Sequence, residues 1–499
     1  MRRAFLLAAG GMFVTFGVVA GCSLGLDESL IDRPDGGGPG LVSEQDGSSD
    51  PSTDGSPPIH TPDGGVCTTD DECTTTDGCL KGKCDLTRKT CVFDVCKPSA
   101  CNSAKCDVAA KTCGAPAAHP YHAGSFQVGA GIGCGGALGR CFAAVYPYLF
   151  VGTPNGVVAF RASNPAATEG EKVPLVGLGF LPGQIVASGN RVFFLGGAGG
   201  AAPSSRVQIA WLDVPADPFA AKLTATTVLV SLNRPPGEGL TLVPRANSTA
   251  LLLSLSREAS FPSVSIEPPF VEPAELSATP ITFSAGMSPV AMSGTRLILQ
   301  SFAPNGTASF SFVNGAGSPS PQNAGDVALP DAGIVYPPQV MATSPDGALF
   351  WNVASLTGAP NPPSPDPQPN IRAARAHFLV GDGNANFDVG PAFDVEVYNA
   401  PGVTAGFGAG VVGPAAMLDG KTAIVTTATA GNLAQTSVVF AKKEPLGLLK
   451  NDDGSVRRHV LTLPVNELAA AGSNGIGYLL SVDSPTAATI YTFDPACAP

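Results

Sequence analysis

The chain has 499 residues, of which 14% are charged, and a formal net charge of −12 at pH 7. This length exceeds what one hydrophobic core usually supports, so we expect two or more domains. The acidic charge is concentrated between Ser23 and Val66, where nine acidic residues stand against Arg33. No stretch forms a basic face that could release counterions from phosphate, so the composition excludes nucleic acid as a partner.

The first residues have the organisation of an export signal. Arg2 and Arg3 precede an uncharged, mostly apolar run from Ala4 to Ala20, and Gly21 separates this run from Cys22. The run is shorter than the ~20 apolar residues that a membrane-spanning helix needs. Residues 1–21 are therefore predicted to be a cleaved signal peptide.

The four residues Val19-Ala20-Gly21-Cys22 resemble the lipobox of bacterial lipoproteins. The resemblance implies cleavage before Cys22 and attachment of a lipid to its sulfur, so the membrane becomes a partner through this anchor. Ser23 resembles the residue that sorts such proteins to the outer membrane. We expect a lipid-anchored protein of the bacterial cell envelope, and an ordinary secretory signal is the alternative.

The pair Arg2-Arg3 also resembles the core of a twin-arginine signal, which exports proteins that have already folded. Twelve cysteines follow Cys22, and disulfides do not persist in a reducing cytosol. Export of the unfolded chain, with oxidation afterwards, fits this cysteine content better.

Residues 22–66 are predicted to be a disordered linker behind the lipid anchor. The segment is rich in Asp, Gly, Pro and Ser and has almost no aromatic or β-branched residues. Such a composition cannot bury enough apolar surface to offset the entropy of ordering.

Residues 67–113 are predicted to form a small disulfide-rich module, because few large apolar residues are available for a core there. Two segments, 79–91 and 101–113, share three cysteines, an Asp after the second cysteine (Asp85 or Asp107) and Lys-Thr before the third. Each segment is read as a hairpin in which the Asp side chain caps a turn. The nine cysteines of the module are Cys67, Cys73, Cys79, Cys84, Cys91, Cys96, Cys101, Cys106 and Cys113.

Zinc is disfavoured as the alternative, since the module has no Cys-x2-Cys pair and no histidine. The opening of the module resembles the short cysteine-rich modules of bacterial and animal surface proteins. Nine is an odd number, so at least one cysteine must pair outside the module. The candidates are Cys134, Cys141 and Cys497, and Cys67 is predicted to be the outlier because it precedes the two four-cysteine repeats.

Residues 114–499 are predicted to form an all-β domain, since short apolar runs alternate with Gly, Pro, Asn and Asp and lack helical periodicity. Seven comparable units of two strands and a turn favour a β-propeller of about seven blades; a pair of β-sandwiches is the alternative. The units cover residues 148–161, 185–197, 240–255, 289–301, 339–353, 415–427 and 470–482. The first resembles the repeat of quinoprotein-like propellers, and the Ser-Pro-Asp-Gly turn at 344–347 resembles blade repeats of surface propellers.

A propeller must close its ring, because free sheet edges invite aggregation. We expect a disulfide from Cys497 to Cys134 or Cys141 to join the last blade to the first, and the other of these two cysteines to reach Cys67.

Few residues in the large domain suggest catalysis. The Gly-x-Ser-x-Gly and His-Glu-x-x-His signatures of hydrolases and zincins do not occur. Only His377 and His459 fall within the blades, and both are interpreted as strand or surface residues. The glycine run 129–136 is interpreted as a loop pinned by a disulfide, since no helix pattern follows it.

No cofactor is expected, although calcium is possible. In Gly381–Asp388, the residues Asp382, Asn384, Asn386 and Asp388 alternate as the oxygen ligands of calcium loops do. Phe387 stands where such loops place glycine, so a polar hairpin tip is the alternative. The segment Asn451-Asp452-Asp453-Gly454 is read as a plain turn.

The leading hypothesis is a non-enzymatic, membrane-anchored lipoprotein whose propeller binds a protein or glycan ligand or acts as a scaffold. The alternative is an exported propeller enzyme of the hydrolase, lyase or quinoprotein-like type. That alternative requires acidic, His or Arg side chains that converge around the channel.

Overall fold

The computed structural model describes residues 67–496, with gaps of which the longest are 269–280, 356–370 and 398–411. The signal peptide, Cys22 and the predicted linker therefore lie outside the described residues. Within the described part of the chain, no helix has the length and hydropathy of a membrane span.

Strands account for nearly all regular structure in these residues, which confirms the predicted all-β fold. The disulfide module begins with a short 3-10 turn at Asp70–Glu72. Its strands are β1 (Leu80–Asp85), β2 (Thr90–Val95), β3 (Asn102–Ser103), β4 (Cys106–Asp107), β5 (Thr112–Cys113) and β6 (Ala117–Ala118). Strands β1 and β2 form one hairpin and β4 and β5 form a second, while β3 pairs with β6. As predicted, Asp107 caps its turn, because its Oδ1 accepts the Ala110 N–H at 3.0 Å.

Three disulfides of the module have both partners defined: Cys67–Cys84, Cys73–Cys91 and Cys96–Cys113. The prediction that Cys67 pairs outside the module is wrong. The segment at Cys67 runs beside the first hairpin, where the Cys67 N–H donates to the Lys89 carbonyl at 3.0 Å. Cys67 is therefore the first cysteine of the first unit and does not stand outside the repeats.

The described strands after the module form seven sheets of three or more strands, which we call blades 1 to 7 in chain order, and two small two-stranded sheets. Strand β7 (Gly124–Gln127) precedes blade 1, which consists of β8 (Phe142–Val145), β9 (Tyr148–Thr153), β10 (Gly156–Arg161) and β11 (Lys172–Val173). Between blades 1 and 2 lies β12 (Leu175–Val176). Blade 2 consists of β13 (Gln184–Ser188), β14 (Arg191–Gly199), β15 (Arg206–Asp213) and β17 (Thr226–Ser231), and β16 (Leu223–Thr224) pairs with β12.

Blade 3 consists of β18 (Gly239–Arg245), β19 (Thr249–Leu255) and β21 (Ser263–Ile266), with β20 (Ser260–Phe261) and β22 (Ile281–Thr282) paired beside it. Blade 4 consists of β23 (Ser288–Ser293), β24 (Arg296–Phe302), β25 (Ala308–Asn314) and β26 (Gln322–Val327). Blade 5 consists of β27 (Ile334–Ser344), β28 (Gly347–Ser355), β29 (Ile371–Gly381), β30 (Phe387–Val389) and β31 (Phe393–Val397).

Blade 6 consists of β32 (Val412–Met417), β33 (Thr422–Thr429), β34 (Asn432–Lys442), β35 (Gly447–Leu448) and β36 (Arg458–Leu461). A 3-10 turn, Val465–Glu467, leads to blade 7, which consists of β37 (Leu468–Ser473), β38 (Ile476–Ser484) and β39 (Ala487–Phe493). The first strands of consecutive blades lie against one another around a ring, and β37 lies against β8. The protein is therefore a seven-bladed β-propeller preceded by a disulfide-rich module.

The ring closes by strand pairing between the two ends of the propeller. Strand β7 adds to the outer edge of blade 7 and pairs antiparallel with β39, with Phe126 opposite Ile490. The Gln127 side-chain amide also donates to Thr489 Oγ1 at 2.8 Å. The predicted disulfide closure through Cys497 lies outside the described residues.

The predicted units coincide with the first hairpin of blades 2 to 7, but the unit 148–161 is the second hairpin of blade 1. The first hairpin of that blade turns at Tyr146-Pro147, a pair that is a weaker turn signal than Thr153-Pro-Asn-Gly156. In blade 7, the pair Asn474-Gly475 predicted the turn correctly. Both residues adopt the positive φ that this tight turn requires (54° and 75°), and Asn-Gly is the pair that such turns prefer.

The module packs on the propeller at the seam between blades 7 and 1. Val92 of β2 is buried in one cluster with Phe126, Tyr146 and Ile490. The Tyr146 hydroxyl donates to the Phe93 carbonyl at 3.2 Å. A second contact involves Phe219, which packs against the cluster of the buried Cys79 and Cys96 of the module. The module therefore shares a core with the propeller.

Candidate functional site

The central channel of the propeller forms a cavity with a volume of about 350 Å³ among the described residues. Its described walls come from the first strands of six blades and from the turn before β8. The lining residues are uncharged and mostly small: Gly139, Phe142, Ala143, Ala144, Ile185, Val186, Ala187, Pro244, Ala342, Thr343, Ala415, Ala416, Met417, Ala470, Ala471 and Gly472. Alanine at these positions keeps the channel open, because larger side chains would fill it.

Backbone groups supply polarity to this channel. Each first strand is an end strand of its sheet and has a neighbouring strand of that sheet on one side only. Its other edge faces the channel, so peptide N–H and C=O groups of that edge are directed at the cavity. The channel therefore offers neutral hydrogen-bond donors and acceptors between small apolar side chains.

A charged residue follows the lining residue Gly139 on the side of the propeller where the first strands begin. Arg140, which immediately precedes blade 1, donates from Nη2 to Thr241 Oγ1 at 3.4 Å. Thr241 Oγ1 in turn donates to Gln184 Oε1 at 3.3 Å. The Gln184 side chain is held by the backbone of Leu242, whose N–H donates to Oε1 and whose carbonyl accepts from Nε2, both at 2.9 Å. These contacts join blades 1, 2 and 3 at this end.

Serine side chains join neighbouring blades at the opposite side of the propeller, where the first strands end. In blade 7, Ser473 Oγ accepts the Tyr146 N–H of blade 1 at 2.9 Å. In blade 2, the Ser188 hydroxyl donates to the Arg245 carbonyl of blade 3. In both cases a serine at the end of a first strand binds backbone of the following blade, so the first strands are fixed laterally around the channel.

The two blade histidines lie within the blades and do not line the cavity. His377 is fully buried in β29, and His459 is buried in β36. The His459 ring makes edge contacts with Phe440 and Phe493, with centroid distances of 6.1 and 5.4 Å. The expectation that both are strand residues is confirmed, and their burial shows that neither is a surface residue.

Tyr148 has a strongly perturbed pKa, but its surroundings are structural. Burial raises the pKa of Tyr148 to about 12. Its hydroxyl donates to the Asp217 carbonyl at 2.6 Å and accepts the Ala220 N–H at 3.1 Å. The neutral phenol thus fixes the loop that carries Phe219 beneath the disulfide module.

Several predicted site residues fall outside the described side chains. These are the lipidation site Cys22, the possible calcium ligands Asp382, Asn384 and Asn386, and the cysteines Cys101, Cys134 and Cys497. Asp388 is described only by its backbone, which pairs with Val380 in the sheet of blade 5. For Cys106, too, only the backbone is described. Calcium binding stays a prediction.

Two predicted loops fall at least partly within the described residues. Residues 129–133 of the glycine run lie in a loop, and its pinning by a disulfide stays a prediction. Gly133 lies against blade 1, where its N–H donates to the Gly152 carbonyl at 3.1 Å. The segment from Asn451 to Gly454 is a turn: the Asn451 N–H donates to the Ser455 carbonyl at 2.8 Å, and Asp453 Oδ1 accepts the Ser455 N–H at 2.8 Å. Hydrogen bonds from Ser455 lower the pKa of Asp453.

Sequence reasoning did not identify Arg140, Gln184 or the alanine lining of the channel. The alanines carried a readable signal, since 143–144, 415–416 and 470–471 precede the turn of a hairpin by similar distances. Arg140 and Gln184 have no recognisable sequence signal, because they come close together only when the blades assemble into the ring.

The fold and the channel define a seven-bladed propeller with a docked disulfide module. No family model matches the sequence, and no curated protein is detectably similar to it. Solved structures are similar at low identity. An ulvan lyase, a polysaccharide lyase, is 11% identical with a TM-score of 0.38, covering 74% of this chain and 97% of that chain.

Two solved β-propeller domains are similar at the same level. The domain of the Trilobed protease from Pyrococcus furiosus is 10% identical with a TM-score of 0.37, covering 71% of this chain and 94% of that chain. The Nup133 domain of Vanderwaltozyma polyspora is 9% identical with a TM-score of 0.37, covering 74% of this chain and 97% of that chain. These values transfer no activity, and the fold assignment rests on strand order and ring closure.

Proposed function

We propose that this protein is a lipid-anchored component of the bacterial cell envelope whose propeller is a non-enzymatic binding scaffold. The binding role is inferred from the composition of the channel. Its described walls combine uncharged small side chains with the exposed edges of the first strands. Such a surface suits a neutral polar ligand, that is, an extended peptide segment or an uncharged glycan.

The channel walls are also held in place for binding. The Gln184 and Ser473 contacts join neighbouring blades at opposite ends of the first strands, so the shape of the cavity is fixed before a ligand arrives. Preorganisation of this kind reduces the entropy that association must overcome. The alternative, an exported hydrolase, lyase or quinoprotein-like enzyme, needs titratable side chains around the channel, and the described lining supplies none.

The anchor is supported by the sequence around Cys22 and by the disulfides, which form in oxidising compartments such as the periplasm. Intact mass spectrometry of the protein from membranes tests it. We expect a mature chain that begins at acylated Cys22. Recovery of the full chain with an unmodified Cys22 would contradict the anchor.

The binding role is tested by placing a photoreactive amino acid in the channel at Ala416, with the exposed Val460 as the control position. After irradiation of intact cells, a glycan or protein adduct is expected at position 416 and not at 460. Native tryptophan fluorescence establishes that both variants fold. A folded position-416 variant that forms no adduct, or forms the same adducts as the control, would overturn the proposal.

A further inference from the structure

Two groups of three sulfur atoms are packed in the same way in the disulfide module. The Sγ atoms of Cys67, Cys73 and Cys91 lie within 4.8 Å of one another, and so do those of Cys79, Cys96 and Cys113. Each group contains one complete disulfide, Cys73–Cys91 in the first and Cys96–Cys113 in the second. The third sulfur of the first group, Cys67, is bonded to Cys84.

The hairpins under the two groups have matching registers. Cys84 is the pairing partner of Cys91 across β1 and β2, and Cys106 is the pairing partner of Cys113 across β4 and β5. Cys91 and Cys113 therefore occupy equivalent positions, as do Cys84 and Cys106. Cys79 then occupies in the second group the position that Cys67 occupies in the first.

We propose that Cys79 forms its disulfide with Cys106. Cys79 is disulfide-bonded, and its Sγ lies 3.9 Å from the carbonyl oxygen of Asp107, the residue that follows Cys106. The bond repeats the Cys67–Cys84 bridge one unit further along the chain. Its formation removes one hydrogen from each thiol. The two electrons and two protons pass to the disulfide of an envelope thiol oxidoreductase, which leaves as a dithiol.

This connectivity interlocks the two units. In sequence, Cys79 lies between Cys73 and Cys84 of the first unit, but its bond belongs to the second. Cys101 follows Cys79 by one repeat of 22 residues. Cys79 lies in the first unit and bonds to the second, so the equivalent bond of Cys101 would go from the second unit to a third. Four bridges use eight of the nine cysteines, so the assignment makes Cys101, and not Cys67, the odd cysteine of the module.

Peptide mapping of the full-length protein under non-reducing conditions tests the assignment. The thiols are first alkylated at mildly acidic pH, and cleavage after lysine and before aspartate then separates residues 77–81, which contain Cys79, from residues 94–105, which contain Cys96 and Cys101. We expect residues 77–81 to be linked to Cys106, which these cleavages release as a single residue from between Lys105 and Asp107. Linkage of residues 77–81 to residues 94–105 would overturn the proposal.

Matched variants give a second readout. In Cys106→Ala, residues 77–81 should acquire one alkylatable thiol, whereas in Cys101→Ala they should stay bridged. The opposite pattern would identify Cys101 as the partner and refute the assignment. Because the mapping of the unsubstituted protein does not depend on any variant folding, the test stands even if Cys106→Ala is unstable. Either result leaves the channel-binding proposal untouched.

Discussion

Truncation of one module residue, Val92→Ala, should destabilise the propeller. Val92 is 6% exposed and packs with residues of blades 1 and 7. The change removes two buried methyl groups, worth roughly 1.6 kcal/mol at ~0.8 kcal/mol for each group, and incomplete collapse of the resulting cavity adds to this. We expect the free energy of unfolding of the propeller to fall by about 2 kcal/mol.

Both tryptophans of the chain, Trp211 and Trp351, are in the propeller on β15 and β28. Urea unfolding followed by tryptophan fluorescence, without reductant, therefore reports on the propeller alone. The same substitution at Val460, which is 49% exposed, is the control and should change stability by less than about 0.5 kcal/mol. An unchanged propeller transition in Val92→Ala would refute a shared core and make the module an independent domain.

Three further predictions follow from individual contacts. Ser473→Ala leaves the buried Tyr146 N–H without its acceptor, so unfolding in urea should show a loss of about 1–3 kcal/mol in the free energy of unfolding. The control Ser484→Ala removes only an acceptor for the solvent-exposed hydrogen bond from the Thr486 N–H and should cost less, so equal effects would contradict the role of Ser473 at the seam. Because the pKa of Tyr148 is raised to about 12, its contribution to stability is fully present below the unfolded pKa of about 10 and should be lost as the pH rises towards 12. Urea midpoints between pH 9 and 12 should therefore fall less steeply in Tyr148→Phe, and identical slopes would exclude this residue as the cause. If Asp382, Asn384, Asn386 and Asp388 bind calcium, a chelator should lower the melting temperature of the native protein but not that of Asp382→Asn, and equal shifts in both would contradict the site.

Sequence patterns predicted the propeller because its signal is local and repeated. Each blade needs a tight turn between its first two strands, and turns such as Asn474-Gly475 are recognisable from residue type alone. The exception is blade 1, where the Tyr146-Pro147 turn has no glycine or asparagine, and there the predicted unit is one hairpin too late.

The features that the sequence did not reveal depend on contacts between distant segments. Cys67 was misassigned because cysteine spacing does not state which strands pair, and the register of Cys84 with Cys91 decides the bridge. The burial of His459 depends on Phe440 and Phe493, whose arrangement around it exists only after blades 6 and 7 meet. The alanine-lined channel likewise requires the ring to close.

The seam between blades 7 and 1 is the point at which a closed propeller can open, since only there do the two ends of the domain meet. Three kinds of contact converge on this seam. Strand β7 completes blade 7, Ser473 accepts a backbone hydrogen bond from Tyr146 of blade 1, and the module inserts Val92 beside Phe126. The disulfides that hold Val92 in its hairpin therefore also stabilise the closed ring. The module therefore packs against the two blades whose first strands, β37 and β8, line the channel on the two sides of the seam.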